Sequence, residues 1–229
     1  MAGCFITFEG GEGAGKSTQI ERLKRRLGEL AQPALVTREP GGSPHAEEIR
    51  AFILGGRAKH LGPFAEALLF AAARIDHLDK TIVPALKRGT HVLCDRFADS
   101  TRAYQGSAGN IDKELIDQLE RVTLRGTRPD LTFILDLPAE VGLARAGERR
   151  AGRGEGADRF EGEEASFHHS LRQAFLSIAR SEPKRCVVIN ADQEPDEVEA
   201  AIWAALRARL PQITRSRLSE DAVRPLDVA

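Results

Sequence analysis

Gly10-Gly11-Glu12-Gly13-Ala14-Gly15-Lys16-Ser17-Thr18 decides the reading of this chain. The stretch matches G-x-x-x-x-G-K-[ST]. It follows the short apolar run Cys4–Glu9 directly and precedes a helical stripe of Ile20, Leu23, Leu27 and Leu30. The spacing has a physical cause. Glycines let successive backbone N–H groups turn inward and form an anion nest, and the next helix adds the positive end of its dipole. A lysine at position 16 reaches terminal phosphates, and a hydroxyl at position 17 suits a magnesium ion. Strand, phosphate loop and helix in this order predict a nucleotide-binding α/β fold.

Working outward, four more short apolar runs read as strands: Ala34–Arg38, His91–Asp95, Leu131–Asp136 and Cys186–Asn190. Several are continuous rather than alternating, as in strands covered on both faces. Helical patterns separate them, so parallel strands joined by helical crossovers are expected. The stripes are Phe64, Leu68, Ala72 and Ile75; Leu115, Leu119 and Val122; and Val198, Ile202 and Leu206, the last after Pro195 in a first turn. Residues 147–159, GERRAGRGEGADR, break every pattern and read as a mobile loop between helices. Residues 212–229 are polar, lack periodicity and read as a tail, leaving one domain over 1–211 with a lid at about 147–160.

The composition fits a globular chain. Of 229 residues, 41% are hydrophobic and 29% charged, which excludes wholesale disorder. Lys+Arg number 33 and Asp+Glu 34, a net charge of −1, so no basic excess points to nucleic acid. The three cysteines, Cys4, Cys94 and Cys186, fall in strand runs and read as buried thiols, not a disulfide framework. No apolar run is long enough to span a bilayer, and MAGCFITFEGG has no basic segment before its apolar run. A soluble cytoplasmic protein is expected. The adjacent His168 and His169 lack metal spacing and read as solvated helix surface.

A phosphate loop does not name a reaction. Phosphoryl transfer needs an acid near Mg²⁺ at a strand end, and Asp95 and Asp136 both qualify. Asp136, followed by Pro138, reads equally as the start of a helix, whereas Asp95 stands beside Arg96, a metal-facing acid next to a phosphate-facing fork. No N-K-x-D guanine motif follows a later strand. This favours a kinase of small phosphorylated acceptors over a nucleotide-dependent switch. Adenylate, shikimate and deoxynucleoside kinases stay open at this point.

Six segments then carry a resemblance: FEGGEGAGKST (8–18), TREPGG (37–42), LLFAAAR (68–74), DRFADSTRAYQG (95–106), RPDLTFILDLPAEVGLAR (128–145) and DRFE (158–161). In this order they resemble the thymidylate kinase family of P-loop nucleoside monophosphate kinases over roughly residues 4–210. The resemblance implies a three-layer fold, a five-stranded parallel sheet with helices on both faces, and a homodimer. It implies transfer from ATP to dTMP with Mg²⁺. It makes Gly10 to Thr18 (Gly10, Gly11, Glu12, Gly13, Ala14, Gly15, Lys16, Ser17 and Thr18) the ATP-binding segment, and Ser17 and Asp95 the metal ligands. Arg96 and Arg38 resemble the clamp on the acceptor phosphate, and Glu12 an acid near the sugar 3′-hydroxyl. Phe70 resembles the base-stacking ring and Arg74 the base reader. Tyr104 is similar to the tyrosine packed against the sugar's 2′ side and Gln105 to the residue near the base, and the resemblance adds Ser100 and Thr101 to the acceptor site. Phe97 stands where an aromatic hydroxyl is often found, and the phosphate loop has no arginine between its glycines. The chain is therefore similar to the subtype whose lid supplies the catalytic arginine, here among Arg149, Arg150, Arg153 and Arg159, with Arg149 and Arg153 foremost.

Overall fold

The computed structural model describes residues 2–152, 160 and 162–216. In chain order the elements are β1 (Phe5–Glu9), α1 (Lys16–Glu29), β2 (Ala34–Arg38), α2 (Pro44–Leu54), α3 (Pro63–His77), α4 (Val83–Lys87), β3 (His91–Asp95), α5 (Ala98–Thr101), α6 (Lys113–Leu124), β4 (Leu131–Asp136), α7 (Ala139–Ala151), α8 (Ala165–Ser181), β5 (Cys186–Asn190) and α9 (Pro195–Arg209). Single π turns, Leu78–Ile82 and Arg102–Ala108, follow α3 and α5.

The strands form one parallel sheet in the order β2-β3-β1-β4-β5. β1 is central and wholly buried, so its apolar run needs no alternation. The register pairs Phe8 with Asp95, and Arg38 with Asp95, which brings the carboxyl ends of β1, β2 and β3 to one edge. In such a sheet ligands bind beyond those ends, where the strand order reverses. One core packs α1 and α9 on the sheet through Ile20, Leu23, Leu27, Val198, Ile202 and Leu206. A second gathers Leu171, Phe175 and Ile178 of α8 on the opposite face, with Ile134 and Tyr104. A third lies beneath α4.

One pattern faces outward, and three expectations need correction. The stripe on α3 does not face the core: Phe64, Leu68 and Ile75 are 44%, 45% and 38% exposed. On α6, Leu115 and Val122 are likewise 38% and 68% exposed. α3 instead buries Glu66, Ala67, Ala71, Ala73, Arg74 and His77, because the loops beside it carry polar partners for Arg74 and His77. First, the expected loop at 147–159 starts late, since α7 runs on through Arg149 and Arg150 to Ala151; Arg153 and Arg159 lie outside the described residues. Second, the segment after 211 is not all tail. Pro211–Thr214 forms a 3₁₀ turn that buries Ile213, and Gln32 donates to the Arg215 carbonyl at 2.9 Å. Third, His168 is buried, with its ring edge-on to Phe167, while His169 pairs with Glu140 at 2.8 Å.

Candidate active site

The phosphate loop emerges from β1 and turns into α1 at Gly15, whose φ of 85° places it in the left-handed region that glycine adopts without cost. Gly13, φ 66°, meets a second constraint, because a β-carbon there would strike the Gly142 carbonyl of α7. Lys16 donates back into its own loop, to the carbonyls of Gly11 at 2.8 Å and Gly10 at 3.2 Å. Burial, and then the Arg96 charge, push its ammonium below the usual lysine value. Ser17 at the helix start donates to Asp95 Oδ2 at 2.7 Å, so the two metal candidates meet. Asp136 is excluded from that role and from capping. Arg172 of α8 holds both its oxygens, at 2.7 and 2.8 Å, and α7 begins only after Pro138.

Arg96 stands at the hinge of the site. Its backbone is left-handed, φ 66°, a conformation that is strained for a side chain with a β-carbon. Two bonds from backbone N–H groups hold it: Arg96 N–H to the Phe8 carbonyl at 2.9 Å, and Phe97 N–H to the Glu9 side-chain Oε1 at 2.8 Å. The result aims the guanidinium across the phosphate loop, donating to Glu12 at 2.7 Å, the Gly10 carbonyl at 3.0 Å and Ser100 at 3.3 Å. Tyr104 donates its hydroxyl to the same Glu12 oxygen at 2.8 Å. Burial pushes the Glu12 carboxyl up, but Arg96, Lys16 and the Tyr104 hydroxyl outweigh it and hold it down at about 2. Arg96 is raised above its ordinary value: burial opposes its charge, and Tyr104, Glu12 and Asp95 more than offset that.

A cavity of about 560 Å³ runs from the phosphate loop past Arg96 to α3. Every acceptor-side residue expected from the sequence lines it: Glu12, Arg38, Phe70, Arg74, Arg96, Ser100, Thr101, Tyr104 and Gln105, with Arg149 and Arg150 on the α7 side. Arg38, half-exposed, rests on Glu47 at 3.0 Å. Phe70 and Tyr104 form an aromatic wall with Phe160, at centroid distances of 6.3 and 5.2 Å from it. Sequence reasoning missed Phe160, Glu39, Pro40, Arg50 and Leu54, which also line the cavity. Phe160, Glu39 and Pro40 lay inside the quoted DRFE and TREPGG segments, a signal that was present. Arg50, which donates to the Pro40 carbonyl at 2.6 Å, carried none, because a lone arginine on an amphipathic helix looks like any solvated charge.

A phosphate loop at the switch point of a parallel sheet, facing a basic and aromatic pocket in the same cavity, defines a nucleotide-dependent phosphotransferase of the P-loop class. A sequence model of the family described as thymidylate kinase matches residues 8–202. The chain is 60% identical over 209 residues to the thymidylate kinase of Bradyrhizobium diazoefficiens, covering 91% of this chain and 90% of that one. It is 56% identical over 217 residues to that of Rhodopseudomonas palustris, covering 94% of each. Among solved structures, the crystal structure of thymidylate kinase from Ehrlichia chaffeensis aligns with a TM-score of 0.72 at 34% identity, over 90% of this chain and 100% of that one. The chain belongs to the thymidylate kinase family.

Proposed function

We infer that this enzyme transfers the γ-phosphate of ATP to dTMP, giving ADP and dTDP. The observation that carries the inference is the single cavity in which Lys16 and Ser17 face Arg96, Arg74 and Phe70. Gly10 to Thr18 cradle the triphosphate of ATP. Ser17 and Asp95 offer hydroxyl and carboxylate oxygens, the donors a magnesium ion takes together with nucleotide phosphates. Bound there, Mg²⁺ would neutralise charge on the transferring phosphates.

The acceptor needs no general base. A phosphate monoester is mostly dianionic near neutral pH, its second pKa being about 6. The obstacle is bringing two polyanions together: unit like charges ~4 Å apart repel by about 4 kcal/mol at an effective dielectric of 20. Lys16, Arg96 and Arg38 offset that repulsion, with Arg149, Arg150, Arg153 or Arg159 of the lid supplying charge at transfer. The Arg96–Glu12 pair holds the guanidinium in place before substrate arrives. Phe70 stacks on the pyrimidine, Arg74 donates to its 4-carbonyl, and Gln105 lies near the base. Glu12 faces the 3′-hydroxyl, and Tyr104 fills the 2′ side of the sugar. Ser100 and Thr101 line the pocket floor.

The protein acts as a homodimer. The exposed apolar faces of α3 and α6 support this: the helices pack side by side, and Phe64, Leu68, Ile75, Leu115 and Val122 stay exposed. Apolar residues grouped this way mark interaction surfaces. No helix among the described residues is long and apolar enough to cross a membrane.

Coupled ADP production with dTMP, dUMP, dCMP, AMP and UMP at equal concentration tests the substrate. The expected order is dTMP above dUMP, with dCMP and UMP well below. Equal turnover of dCMP or AMP refutes the thymidylate assignment.

A further inference from the structure

Arg74 is almost fully buried although it lines the acceptor cavity. A guanidinium has five N–H donors in a rigid fork. Nε donates to Glu39 Oε2 at 2.7 Å, and Nη2 donates to the Phe97 carbonyl at 3.2 Å and Thr101 Oγ1 at 3.1 Å. Three of the five donors are thus committed to protein acceptors, which leaves the Nη1 edge for the cavity. The direction of that edge depends on where Glu39 stands.

Glu39 is itself fixed at both oxygens. Oε2 takes Arg74, and Oε1 takes His77 Nδ1 at 3.1 Å. A carboxylate held at one oxygen can swing; one held at both cannot. His77 is completely buried, and its other nitrogen, Nε2, meets Thr37 Oγ1 at 2.7 Å. With hydrogen on Nδ1, the ring donates to Glu39 and Nε2 accepts from the threonine hydroxyl, so each ring nitrogen has a partner. Gly42 seals the far end: a β-carbon there would strike both His77 Nε2 and Thr37 Oγ1. Thr81 pins the sealing loop by donating to the Gly42 carbonyl at 2.7 Å. Packing at Gly42 is therefore tight around the His77–Thr37 link.

We propose that Thr37, His77 and Glu39 form a buried relay that positions Arg74 and thereby sets which pyrimidine the acceptor pocket accepts. The proposal rests on the reading that Arg74 faces the acceptor base. An Arg74 edge held still donates to a carbonyl and opposes an exocyclic amino group, so thymine is taken and cytosine refused. If the relay loosens, the guanidinium can tilt and the amino group is tolerated. Thr37 and His77 do not line the acceptor cavity, and Glu39, which does, acts here through Arg74; they are positioning residues.

The test is the ratio of kcat/KM for dTMP to that for dCMP in Glu39→Gln, Thr37→Val and Thr37→Ser. A merely structural role lowers the folded fraction and scales both substrates equally, leaving the ratio unchanged. The relay predicts a fall of about tenfold or more in Glu39→Gln and about threefold in Thr37→Val, the order of discrimination that one lost or misplaced polar contact removes. It also predicts that KM for dTMP rises more than kcat falls, and that Thr37→Ser, which keeps the hydroxyl, restores the wild-type ratio. Where Glu39→Gln fails to fold, the near-isosteric Thr37→Val decides. A wild-type ratio in the folded variants overturns the relay. An unmodified protein that accepts dCMP as readily as dTMP overturns the reading of Arg74 itself, and the two failures are thereby told apart.

Discussion

Glu9, the last residue of β1, should make the stability of this enzyme fall as pH rises through neutrality. Its carboxyl is fully buried and accepts from Phe97 N–H at 2.8 Å and Ser100 Oγ at 2.6 Å. Burial, reinforced by the Asp99 charge, pushes it from an ordinary 4.5 up to about 8, against the pull of Ser100, Arg96 and the Phe97 amide. Between those two values the folded chain binds one proton more than the unfolded chain. Stability from this group is complete below the lower value and is lost as pH rises toward the upper one. One proton is worth about 1.4 kcal/mol per pH unit. A chain of this size moves its Tm by roughly 2–4 °C per kcal/mol. Over the two units from pH 5.5 to 7.5 the loss is therefore on the order of 5–10 °C. Glu9→Gln cannot ionise, yet its amide oxygen can still accept from Phe97 N–H and so hold the left-handed turn at Arg96. Thermal unfolding of both proteins in steps from pH 5 to 8.5 isolates the effect, because every other titrating group is common to the pair. The wild-type curve should fall relative to the variant as pH rises. A flat difference, or one sloping the other way, means that Glu9 is ionised throughout and that Arg96 compensates its burial.

Further outcomes follow from the same geometry. Lys16→Ala should abolish phosphoryl transfer while circular dichroism still shows a folded chain; a folded variant with wild-type turnover would contradict the role given to the loop. Of the single variants Arg149→Ala, Arg150→Ala, Arg153→Ala and Arg159→Ala, one should lower kcat far more than it raises KM for dTMP in steady-state kinetics, and four near-neutral variants would refute a catalytic lid arginine. Tyr104→Phe removes a hydroxyl donor to ionised Glu12, a hydrogen bond worth about 1.5–3 kcal/mol. dTMP kcat/KM should fall by roughly tenfold or more, while UMP stays excluded because the ring remains; full activity would mean that Arg96 alone orients Glu12. Leu68→Glu with Val122→Glu should give a monomer in sedimentation equilibrium, and an unchanged dimer would place the contact elsewhere.

The sequence by itself determined the frame of this protein. Continuous apolar runs fix strands through the local chemistry of burial on two faces, and β2 to β5 begin and end where those runs do. The phosphate loop is equally local: its glycines, Lys16 and Ser17 are neighbours in the chain, so spacing alone carries the chemistry. What the tertiary structure decided is whatever depends on who packs against whom. Periodicity finds the apolar face of α3 and α6 but cannot say whether that face meets the core, and the fold leaves it exposed. Asp136 looked like a cap or a metal ligand until Arg172, 36 positions along, claimed both its oxygens. His168 and His169 are adjacent, yet only the fold turns one inward. The links Glu39–His77 and Glu39–Arg74 span 38 and 35 positions, and no motif joins their ends. Side chains that far apart acquire partners only when the sheet brings β2 and α3 together.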